Sequence, residues 1–130
     1  MRLFGWSLLL ILVLIAGCNA NPASTLPYDD VPQNGDVARG EALFSQQNGI
    51  APACSSCHTE NSSAVPDLAG YGAIAGTRVE GEDAHEYTFY AIAEPGRHVV
   101  EGYGNAMYNK YDDVLSPQDF ADLIAYMLSL

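Results

Sequence analysis

Residues 51–60 read APACSSCHTE, and the pattern within them, Cys54-x-x-Cys57-His58, decides the fold. The chain has 3 cysteines, and two of them stand here. If a helical turn begins at Cys54, Cys57 falls at i+3 and His58 at i+4, so the three side chains share one side. Two thiols would then pin the edge of a flat ligand while an imidazole grips its centre. C-x-x-C-H is the attachment pattern for c-type haem. On that reading Cys54 and Cys57 become thioethers to the porphyrin, and His58 becomes one axial ligand of the iron. Three other readings compete. A redox C-x-x-C pair expects a βαβ setting, and no such alternation is visible. A structural zinc site usually takes four ligands, and only His85 and His98 remain to supply them. A disulfide at i, i+3 closes a very short loop and constrains little. One covalently attached haem c is therefore the expected cofactor.

The distal face of that haem needs a second ligand. Met107 lies in GYGNAMYNKYDD, a Gly- and Asn-rich loop without helical pattern. A methionine there has no core to fill unless something apolar lies beneath it, so Met107 is taken as the second axial ligand. His98, after EPGR, is the alternative. Met127 falls on an apolar helix stripe and reads as core. His85 sits among Glu82, Asp83 and Glu86 and reads as a helix-surface histidine. Arg97 reads as exposed rather than as a partner for a haem carboxylate.

At 130 residues the chain is expected to hold one domain. The start, MRLFGWSLLLILVLIAGC, has one basic residue and an apolar run from Leu3 to Gly17. That run falls short of the roughly 20 residues of a bilayer span and has the form of a secretory signal. The end IAGC resembles the bacterial lipoprotein box. Residues 1–17 are then a lipoprotein signal peptide, and Cys18 is the lipid-bearing first residue of the mature chain. Residues 18–35, rich in proline and small polar residues, read as a flexible tether spanning about 20–25 Å. The domain is expected over 36–130, in the bacterial cell envelope, facing the periplasm or the exterior.

Within the domain three helices are legible. One begins at Asp36 as N-cap and stops by Gly49, with Val37, Gly40 and Phe44 on one face. A second runs through EDAHEYTFYAIAE to Pro95-Gly96. The last is SPQDFADLIAYMLSL, with Ser116 as N-cap, Pro117 first and a stripe of Phe120, Leu123, Ile124, Met127 and Leu128. No segment sustains strand alternation. The fold class is all-α: three to four helices around one haem.

From Asp36 to Leu130 the sequence resembles a class I cytochrome c. The resemblance implies that the first and last helices cross, with Gly40 and Phe44 meeting Tyr126. CSSCH matches that family's haem motif. VPDLAG is similar to its Gly-Pro-x-Leu-x-Gly loop, with Val65 in place of the first glycine. The resemblance implies that the Pro66 carbonyl accepts from Nδ1–H of His58, orienting the ring. Tyr108 follows Met107 where relatives often carry proline.

With 16 Asp+Glu against 5 Lys+Arg the net charge is −11. Nucleic acid is disfavoured as a partner, because its phosphates need cations. Redox proteins with basic docking surfaces fit better. No nucleophile–base pair or phosphate loop is present, so an electron-transfer protein is expected rather than an enzyme. It would be a tethered shuttle or a fixed subunit of a larger oxidoreductase. A haem enzyme, a gas sensor and a zinc adaptor are the weaker readings.

Overall fold

Ser116, Pro117 and Asp119 start the helix that organises the molecule. In the computed structural model, which describes residues 23–60 and 62–130, α4 spans Pro117–Leu128. The Ser116 hydroxyl accepts from the Asp119 N–H, while the Asp119 carboxylate accepts from the Ser116 N–H, a reciprocal capping box. The stripe of Phe120, Leu123, Ile124 and Met127 is buried. The leader and Cys18 lie outside the described residues.

α1 spans Val37–Ser45, with the Asp36 side chain accepting from Arg39 N–H. It crosses α4 at Gly40, where a Cβ would overlap the Asp122 carbonyl and press on Tyr126 Cβ. Phe44 and Tyr126 meet beside the crossing, ring centroids 5.3 Å apart. Two expectations for this helix are corrected. It stops at Ser45 rather than near Gly49, because the Asn48 amide donates back to the carbonyls of Leu43 and Gln46 and turns the chain. Val37 is also 46% exposed; as the first helical residue it lies beyond the seam.

α2 is one turn, Tyr71–Ile74, and α3 spans Ala84–Ala93 with Asp83 as N-cap. The 3₁₀ turns are Tyr28–Asp30, Cys54–Ser56, Ala75–Thr77 and Tyr111–Asp113. No strand occurs among the described residues, so the all-α expectation holds. Phe89 of α3 packs against Phe120 of α4 at 5.3 Å. Thr88 is fully buried; its hydroxyl donates to the Ala84 carbonyl at 2.6 Å. Its oxygen, 3.0 Å from Tyr71 Oη, therefore accepts the tyrosine proton.

The expected flexible tether over 18–35 needs the largest correction. From Ser24 onward it is laid against the domain. Val31 is 4% exposed. Tyr28 packs on Phe89 at 5.4 Å and bonds His85 Nδ1 at 3.0 Å. His85, read as a surface histidine, is thus the seat for this strap. Apolar contacts outweigh the proline and small polar residues that suggested a coil.

Candidate haem-binding site

The site is built from two pieces of chain that carry little regular structure of their own. The first is the 3₁₀ turn at Cys54–Ser56. The N–H groups of Cys57 and His58 both return to the Cys54 carbonyl, at 3.2 and 3.0 Å. Cys54 and His58 are half-buried, while Cys57 is exposed at the rim. No disulfide joins the two cysteines. Burial raises the Cys54 thiol above its ordinary range, partly offset by Tyr111.

Burial pushes His58 below the ordinary imidazole range, and the Pro66 carbonyl opposes the shift. The ring is therefore neutral at pH 7, with a nitrogen lone pair able to bind metal. Nδ1 is buried without a hydrogen bond of ordinary geometry, although the Pro66 backbone lies near the ring. The carbonyl and the ring are thus close but not aligned as a hydrogen bond.

The second piece is the segment between α3 and Tyr111. Met107 lines an open crevice together with Tyr71, Tyr87, Ile92, His98 and Met127. A second open crevice is lined by His58, Phe44 and Tyr126. The two share one wall, Pro66 to Leu68. His58 and Met107 thus line two largely apolar crevices bounded by that shared wall. His98 and Met127 line the Met107 side as well. His98 is exposed, its ring edge-on to Tyr87 at 5.8 Å; Met127 is buried, as its stripe position implied.

Three supporting residues escaped the sequence reading. Tyr111 is buried and donates to the Pro52 carbonyl at 3.0 Å, tying the Met107 segment to the Cys54 turn. Burial and the neighbouring Cys54 raise its phenol above the ordinary range. Its position four residues beyond Met107 in an apolar-poor loop was the available signal. Asp122 is fully buried, accepting from Asp36 N–H at 2.7 Å and from Gln118 at 2.9 Å. Arg39 Nη1 stands 3.0 Å from its other oxygen, close enough to pair but not aligned as a hydrogen bond. A carboxylate inside the α4 apolar stripe was the sign.

Arg78 is the third. It lines the Met107 crevice, and its Nε is buried without a partner. Arg39 and Arg97 each pair with a carboxylate, Arg97 also stacking 3.5 Å over Tyr90. Among the described residues Arg78 has no carboxylate, despite an excess of acids in the chain. An unneutralised guanidinium beside an apolar trough suits a flat apolar ligand that carries carboxylates. Haem is such a ligand, so the residues present fit it. Among the described residues no three His, Cys, Asp or Glu side chains cluster as zinc ligands would.

The family model described as Cytochrome c matches residues 37–130, from the first residue of α1 to the C-terminus. The chain belongs to the cytochrome c family. No curated protein and no solved structure matches it. As a cytochrome c it carries one covalently attached haem c, and its chemistry is haem-based electron transfer.

Proposed function

We propose that this cytochrome c is a class I one-electron carrier, with Cys54 and Cys57 as the thioether attachments and His58 and Met107 as the axial ligands. The observation that carries the proposal is the shared Pro66–Leu68 wall, which sets His58 and Met107 on adjoining crevices. The bound haem supplies the ferric–ferrous couple. The chain's own residues do the rest. His58, kept neutral by burial, offers an imidazole nitrogen. Pro66, whose backbone lies near the ring, would orient it through its carbonyl once the two align. Met107 adds a soft, neutral thioether, which favours the ferrous state relative to a second histidine. Tyr71, Tyr87 and Ile92 keep water from the Met107 side, and Arg78 holds a haem carboxylate. With His58 and Met107 both held to the iron, the haem would supply one-electron transfer without a place for a substrate, and Cys57 would hold its edge at an exposed rim.

Lipidation of Cys18 would anchor the domain outside the cytoplasm, and the acidic surface would guide basic redox partners at low salt. A second reading, a fixed subunit of a larger membrane oxidoreductase, is favoured by the strap. With Ser24 held on the domain, at most about 20 Å of extended chain joins it to Cys18. So short a reach suits a docked domain better than a swinging one. Detergent extraction separates the two: a shuttle emerges alone, a subunit with stoichiometric partners.

The ligand assignment is tested by visible spectra of the oxidised and reduced holoprotein. The methionine–iron charge-transfer band should vanish in Met107→Ala and persist in Met127→Ala and His98→Ala. Rapid, complete carbon monoxide binding by the unaltered ferrous protein would refute it.

A further inference from the structure

The segment 95–110 carries both Met107 and His98; Arg97 ties it to Glu82 and Tyr90, and Tyr108 packs on Tyr111 at 5.1 Å. Its backbone bonds are short-range: Tyr103 N–H to Val100 and Ala106 N–H to Gly104, with Arg97 N–H returning to Glu94. Gly102 adopts φ +89°, a left-handed turn. The segment leaves α3 at Glu94 and ends in the 3₁₀ turn Tyr111–Asp113. The hold on its two ends adds to those side-chain contacts.

Both ends are gripped by the same two residues of the N-terminal strap. Ser24 N–H donates to Glu94 Oε1 at 2.9 Å. Thr25 N–H donates to Asp112 Oδ2 at 2.6 Å, and Thr25 Oγ1 lies 3.1 Å from the same oxygen. Ser24 Oγ is 3.1 Å from that oxygen too, with the Leu26 carbonyl as its other acceptor at 3.0 Å. These bonds join residues about 70 and 88 positions apart in the chain. The acceptors are carboxylates, so the bonds are of the stronger, charge-assisted kind. Behind them the strap is seated by Tyr28 on Phe89 and His85 and by the buried Val31.

We infer that Ser24 and Thr25, through Glu94 and Asp112, form a clasp that closes the base of the 95–110 segment. They are positioning residues, acting on the site only through that segment. The reading of Met107 as ligand makes the consequence functional: the clasp sets how readily Met107 leaves the iron. Since the strap continues toward the N-terminus, tension or docking on that side of the chain reaches the distal ligand through Ser24.

The test is amide hydrogen exchange of the holoprotein, followed across 97–108, with Asp112→Ala set against Asp113→Ala. Asp113 sits on the same turn, is exposed, and receives none of the strap's bonds. Exchange across 97–108 should accelerate by at least roughly tenfold in Asp112→Ala, which removes the acceptor of three strap bonds. It should hardly move in Asp113→Ala, and Asp112→Asn, which keeps an acceptor without the charge, should fall between. Unchanged exchange of Leu123 and Ile124 in α4 verifies that the fold is intact. Equal acceleration in Asp112→Ala and Asp113→Ala, or none in either, would overturn the clasp. Carbon monoxide binding to the ferrous variants reads the Met107 reading separately. If exchange accelerates while carbon monoxide binding does not, the clasp stands and the ligand assignment fails.

Discussion

Replacing Gly40 by alanine tests the central packing claim, because the same change has opposite signs in an isolated helix and in this fold. In an exposed helix interior, alanine is better than glycine by about 1 kcal/mol. Here the new Cβ would overlap the carbonyl of Asp122 and press on Tyr126 Cβ. The main obstacle is backbone, which cannot rotate aside, so α1 and α4 must separate. Overpacking of this kind costs about 1–3 kcal/mol, and the upper end applies to an immovable obstacle. Separation also loosens the Phe44–Tyr126 pair, now at 5.3 Å, a contact worth about 0.5–1.5 kcal/mol. After the propensity gain, the net loss is about 2–3 kcal/mol. For a domain of this size that lowers the melting temperature by about 10–20 °C. The assay is thermal unfolding of the holoprotein by circular dichroism, with Gly104→Ala as the control. Gly104 has open space around it and no left-handed backbone, so alanine there should be neutral or stabilising by up to about 1 kcal/mol. A Gly40→Ala protein melting at or above the parent would refute the close crossing.

Three further outcomes are expected. Asp122→Ala strands the Asp36 N–H and should cost about 2–3 kcal/mol in urea unfolding; Arg39→Gln should cost less, since Arg39 is 57% exposed and hydrated already. The reverse order would contradict the role given to the buried carboxylate. Burial raises the Tyr71 phenol to about 12 from 10.0. The unfolded chain then ionises first, so up to about 3 kcal/mol of stability is present below pH 10 and lost as pH rises toward 12; Tyr71→Phe should abolish that share of the alkaline loss. Burial also lowers His85 below 6.5, against the Pro32 carbonyl and Asp83. Its contribution is therefore present above pH 6.5 and lost as pH falls through the lowered value. Exchange of the strap amides, corrected for intrinsic rate, should rise between pH 7 and pH 5, and His85→Asn should remove the difference.

What the sequence disclosed follows from how local each signal is. The α4 capping box and stripe use neighbours within two turns, so they were legible and the structure has them. Gly40, Phe44 and Tyr126 were legible by resemblance, and their contact is observed. Val37 misled because periodicity does not say where a helix stops facing its partner. The strap misled for a related reason: proline and small polar residues favour a coil, but Tyr28 and Val31 find apolar surface that only the folded domain offers.

By itself, the sequence determined the helix starts, the apolar face of α4 and the Cys-x-x-Cys-His pattern, all of which are set by residues a few positions apart. The tertiary structure alone decided which distant groups meet. It joined Tyr111 to Pro52 across the site and buried Asp122 against the start of α1. It left Arg78 without a carboxylate among the described residues. It brought Ser24 and Thr25 to the ends of the Met107 segment. Such contacts depend on how α1, α3 and α4 pack, and packing is a property of the whole surface rather than of any short stretch.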